Sequence, residues 1–112
     1  MPHHVPDAAR ALAEARERGA LAHLVGPVTS KAEALDAIGA ALRFPAWYGR
    51  NLDALYDCLV DLSWLPAGEH VLVWTGHRHF EAADPDGYRA VLAVLDDAAS
   101  SGHSLSVLLA DT

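Results

Sequence analysis

The apolar pattern of this chain predicts an α/β fold, a three-stranded parallel sheet packed against helices, and three observations carry that expectation. Apolar runs at residues 20–25, 70–74 and 105–110 have strand length and lack a clean apolar–polar alternation, which suits strands covered by helices. Helical patterns separate the runs, and parallel strands need such crossovers. At 112 residues, 52% apolar and 21% charged, the chain is sized for a single domain with one core.

Residues 7–18 are Ala-rich helix material, with Asp7 as N-cap and Gly19 as stop. The apolar face is thin (Ala8, Leu12, Ala15), so residues 1–19 are expected to form a loosely docked helical extension before a domain at 20–112. The first strand, 20–25, ends at Gly26-Pro27. Ser30 and Glu33 make a capping-box signature for a helix whose inner face carries Ala34, Leu35, Ile38, Ala41 and Leu42, until Pro45 breaks it. An aromatic turn at 44–50 leads to a helix at 52–62 capped by Asn51. After a loop at 66–68 and the strand at 70–74, residues 75–83 are expected to be irregular or a single helical turn. Asp84-Pro85 opens a helix to about residue 100, with Tyr88, Val91, Leu92 and Leu95 inward and Gly102 closing it.

Fifteen acids against eight Lys and Arg leave a formal charge of −7. That argues against nucleic acid or an anionic membrane as a partner, since both need clustered cations, and it fits a cationic partner better. Cys58 is the only cysteine, so no internal disulfide can form, consistent with a reducing cytoplasm. No stretch approaches 18 uninterrupted apolar residues, and residues 1–7 lack the regions of a signal peptide. A cytoplasmic, soluble protein is expected.

The chemistry concentrates at residues 44–64. Asp53, Asp57 and Asp61 repeat every fourth residue on one side of the helix, and Leu52, Leu55, Leu59 and Leu62 on the other. Asp is a mediocre helix former and like charges at this spacing repel. The helix dipole accounts for Asp53 in the first turn but not for Asp57. Trp47, Tyr48, Tyr56 and Trp64 lie beside the acids. Flat rings around charges compose a protein-recognition hot spot, and a solvated helix face over core aromatics would show the same pattern.

An open carboxylate stripe is a poor site for acid–base catalysis, which needs one pKa raised by an apolar setting. No phosphate loop, serine elbow or zinc-type cysteine spacing occurs, and Cys58 falls mid-helix as an inert core thiol. His77 and His79, two apart in a loop, could chelate, but no third ligand follows at a familiar spacing. The seven histidines are therefore expected to be surface or structural, with no metal and no cofactor. Asp96-Asp97 is either solvated face or an acidic edge of the same surface.

The run Phe-Pro-x-Trp-Tyr-Gly-x-Asn-Leu-Asp-Ala-Leu-Tyr-Asp-Cys-Leu at 44–59 resembles the barstar family, intracellular inhibitors of secreted microbial guanyl-type ribonucleases. The likeness extends over roughly residues 21–110 and is most specific at 44–59. It implies a barstar-like sheet and a non-enzymatic inhibitor, monomeric when free, that plugs a cationic ribonuclease. By motif, Trp47, Tyr48 and Tyr56 fall among the contacts, and Gly49 admits close backbone approach. Asn51 would order the loop, Asp53 and Asp57 would anchor, with Asp57 central, and Asp97 would touch the periphery.

The chain departs from the family pattern in several places. Trp47 stands where a tyrosine is usual and Tyr56 where a tryptophan is. Arg50 replaces a common acid, Asp97 is shorter than the typical glutamate, and a second cysteine is missing. Residues 1–19 have no assigned counterpart. Arg50 and this extension keep a second expectation open, a barstar-fold immunity or regulatory module for a non-ribonuclease protein.

Overall fold

The computed structural model describes residues 2–101 and 105–112. Its elements are β1 (His3–Val5), α1 (Ala8–Glu17), β2 (Leu21–Val25), α2 (Lys31–Ala41), α3 (Leu52–Asp61), β3 (His70–Thr75), α4 (His77–Ala83), α5 (Pro85–Ala99) and β4 (Leu105–Ala110). All strand pairs are parallel, in the order β1-β4-β3-β2. Register runs from Leu21↔His70 to Val25↔Trp74 and from His70↔Leu105 to Thr75↔Ala110.

Central β3 explains why the strand runs do not alternate. Leu72 and Trp74 join Leu105, Val107 and Leu109 in a core with Ile38 of α2, Leu55 and Leu59 of α3, Phe80 of α4 and Val91 and Leu95 of α5. Val71 and Val73 point the other way, into a second cluster with Ala110 and with Ala8, Ala11 and Ala15 of α1. Helices cover both faces, so both faces of β3 are apolar.

The sheet has four strands where the sequence suggested three. β1 escapes a pattern-based reading because it is three residues long, two of them exposed histidines, so no apolar periodicity marks it. Backbone bonds hold it: β1 pairs with β4 from His3↔Leu108 to Val5↔Ala110, and Asp111 N donates to Val5 O at 2.9 Å. The expectation of a loosely docked α1 is also corrected. Its inner face is Ala8, Ala11 and Ala15, with Leu12 only partly buried, and side chains this small bring the helix close to the sheet.

Capping largely follows the sequence. Asp7, Asn51 and Asp84 each accept from a backbone N–H of the first turn of the following helix. The capping box is half realised: Ser30 Oγ accepts from Glu33 N, but Glu33 turns to the N–H and hydroxyl of Thr29. Residues 75–83 are more ordered than expected, forming the strand end and the seven-residue α4. Gly76 begins α4 at φ +69°, where a Cβ would lie 2.6 Å from Pro27, so both backbone and space demand glycine. Gly102 and His103 lie outside the described residues. Among the described residues, no helix is long and apolar enough to cross a membrane.

Candidate protein-recognition surface

α3 begins where Asn51 Oδ1 accepts from Ala54 N at 2.8 Å. Leu55, Cys58 and Leu59 are fully buried beneath it, which fixes the roll of the helix and turns Asp53, Tyr56, Asp57 and Asp61 outward. Among the described residues, no ion pair ties up Asp53, Asp57 or Asp61. Like charges are therefore held together on one ridge with no ion pair to a described cation. Burial, then Asp57 and Asp61, pushes the Cys58 thiol up, which leaves it a poor nucleophile.

The turn before α3 is braced from behind. Phe44 meets Tyr48 and Trp64 edge-on, with centroids 4.7 and 5.7 Å away, and Trp64 Nε1 donates to Leu42 O at 2.9 Å. Trp47 leans edge-on against Trp64 at 6.3 Å and stays 63% exposed, the most exposed large hydrophobic side chain among the described residues. Such edge-to-face contacts fix ring orientation while leaving a face open. Tyr56, also exposed, follows on α3. The other open large hydrophobics among the described residues, Leu21 and Leu24, belong to the edge strand β2.

The expected contact residues thus divide. Trp47, Gly49, Asn51, Asp53, Tyr56 and Asp57 are exposed along the turn and α3, and Asp97 is exposed on α5, which packs beside α3. Tyr48 differs: it is half-buried, and its hydroxyl donates to Leu35 O at 3.1 Å. Burial, then Cys58 and Asp36, pushes its phenol up to about 12. Its place is as a brace between α2 and the turn. Gly49 has no left-handed φ, so backbone freedom is not what the position uses; an added Cβ would stand 3.2 Å from Asn51 Nδ2 and crowd the cap.

Two participants were not singled out from the sequence. Gly39 of α2 faces the Tyr48 ring so closely that a Cβ would lie 2.9 Å from Cε2. Asp36 stands 3.3 Å from Arg50 Nε, drawing that cation back toward α2. Arg50 itself has φ +53°, an uncommon conformation for a residue with a side chain and one that occurs at functional turns. Chemically, the surface offers unpaired acceptors and flat rings in fixed positions, suited to binding a cationic protein.

Residues 21–110 match the family model described as Barstar (barnase inhibitor). The matched span runs from β2 through β4 and includes the turn and α3, and it leaves β1 and α1 outside.

Proposed function

The chain belongs to the barstar family, and we propose that it inhibits a cationic microbial ribonuclease by seating α3 and the 44–50 turn in that enzyme's active site. The observation that carries this reading is the exposed, unpaired Asp53–Asp57 ridge beside the open ring of Trp47. A ribonuclease must hold cations where it binds phosphate, so carboxylates at fixed spacing can stand in for the RNA backbone. The chain's −7 charge would also steer encounter with such an enzyme. Asp57, by its place in the motif, is the central anchor and Asp53 its companion. Tyr56 and Trp47 supply the flat contacts, and Asp97 adds an acidic edge. The inhibitor does no chemistry, acts in the cytoplasm and is a monomer when free.

Two features pointed toward a non-ribonuclease partner, and each has structural employment. Arg50 leans on Asp36, although exposed pairs of this kind stabilise by only about 0–1 kcal/mol. Residues 1–19 include α1, which covers the second face of the sheet. The ribonuclease reading is therefore the better supported.

The test is inhibition of a panel of secreted guanyl-specific ribonucleases, with binding measured for wild type and Asp57→Ala. Removing one partner of a buried interface charge pair generally costs about 2–5 kcal/mol, so the variant should bind at least about 30-fold more weakly. Asp57 is exposed in the free protein, so the fold should survive the change. Equal affinity of the two proteins would remove Asp57 from the interface. A wild type that inhibits no member of the panel would overturn the reading.

A further inference from the structure

Away from α3, three ligand-type side chains converge near the C-terminal ends of β1, β3 and β4. His4 stands on β1, His77 opens α4, and Asp111 directly follows β4. One ring nitrogen from each histidine and a carboxylate oxygen of Asp111 all lie within 4.8 Å of one another. The two imidazole centroids are 5.6 Å apart. Spacing rules could not have found this group, because it is assembled by the β1–β4 pairing and by the short link from β3 to α4.

His77 supplies an independent pointer to a ligand. It is fully buried, with Nδ1 hydrogen-bonded to the Tyr88 hydroxyl at 2.8 Å, while Nε2 has no partner. Among the described residues, Trp74 Nε1 is the one other buried side-chain polar atom in that state, and an indole N–H can only donate. Leaving a buried polar atom unsatisfied is unfavourable, and an imidazole nitrogen beside a second imidazole and a carboxylate is suited to a metal ion.

We propose that His4, His77 and Asp111 form a binding site for a divalent transition metal, Zn²⁺ being the best match. Two imidazoles and one carboxylate suit zinc, and three protein ligands leave a fourth position for water. Bonds of about 2.0–2.2 Å would set the donor atoms about 3.4 Å apart, so the trio must close by at most about 1.4 Å. His4 and Asp111 are exposed and free to make that adjustment, while His77 is held by Tyr88. Coordination through Nε2 places the ring proton on Nδ1, where it is donated to the Tyr88 oxygen, the outer bond that metal-ligating histidines generally make. His4 and Tyr88 also line an open groove of about 540 Å³. The ion would join β1, which lies outside the family span, to α4 and the end of β4.

The experiment is a zinc titration of tag-free, full-length protein in competition with a chromophoric chelator, together with thermal unfolding with and without zinc. Wild type should take up one Zn²⁺ per chain and unfold at a higher temperature with it. His4→Gln and Asp111→Asn alter exposed residues, so both should fold; each should bind at least tenfold more weakly and lose the thermal shift. His23→Gln, which alters a separate histidine pair, should bind zinc as tightly as wild type and keep the zinc-induced thermal shift. Failure of the wild type to bind stoichiometrically would overturn the proposal, as would unchanged affinity in both His4→Gln and Asp111→Asn.

Discussion

Gly39 is the residue on which the posture of the 44–50 turn depends. The ring of Tyr48 lies across it, held by Phe44 at its edge and by the bond from its hydroxyl to Leu35 O. Gly39→Ala would gain about 1 kcal/mol in helix propensity. It would also drive a methyl to 2.9 Å from Tyr48 Cε2, and overpacking of this kind costs about 1–3 kcal/mol. The ring is braced on two sides, so the steric cost should win. The variant should lose about 1 kcal/mol in urea unfolding and, if the turn binds as proposed, bind the ribonuclease more weakly, because Trp47 directly precedes the displaced ring. A more stable variant with full affinity would show that the turn yields freely. The Asp stripe was legible in the sequence because a four-residue repeat against leucines has only one helical meaning. The Gly39–Tyr48 fit was not, because it joins a helix and a turn nine residues apart and no local periodicity encodes that contact.

At the scale of elements, β2 and β3 share a histidine pair with a defined proton order. His70 Nε2 lies 2.9 Å from Pro66 O, which can only accept, so His70 carries its proton there and leaves Nδ1 bare. His23 Nε2, 3.0 Å from that nitrogen, must then donate to it. Burial first, then His70, lowers the pKa of His23; the nearby Ala41 carbonyl opposes this and Arg43 adds to it. In the unfolded chain His23 titrates near its ordinary value of about 6.5. Its contribution is therefore fully present above that pH and lost as pH falls through the lower folded value. Stability should decline below about pH 6.5, and His23→Gln should flatten that part of the profile in unfolding experiments at constant salt. An unchanged slope would mean that the pair accepts a second proton without penalty. The same pair shows what remained hidden at this scale. Strands and helices with apolar periodicity and caps could be placed from sequence, whereas β1 is three polar-edged residues and α4 only seven, both below the length at which periodicity speaks.

For the whole molecule, the sheet separates two tasks. One face carries α2 to α5 and with them the acidic ridge; the other is covered by α1, alone among the helices of the described residues. α1 and β1 then cover the second face and one edge of the sheet, and removal of residues 1–19 should be felt across it. Deletion would uncover Val71, Val73 and Ala110 with Ala22 and Leu108 beside them, and would leave β4 as an open edge strand. An exposed apolar face next to an open strand edge is a site for aggregation. Chain 20–112 should therefore bind a hydrophobic dye, unfold at a lower temperature and associate at micromolar concentration. If the full chain inhibits a ribonuclease as proposed, any monomeric fraction should do so too, because α3 packs on the opposite face. Light scattering, dye binding and inhibition measured on one preparation separate these effects. A truncated chain as stable and monomeric as the full one would show that α1 is dispensable. A monomer that is well folded yet inactive would place part of the recognition surface in residues 1–19.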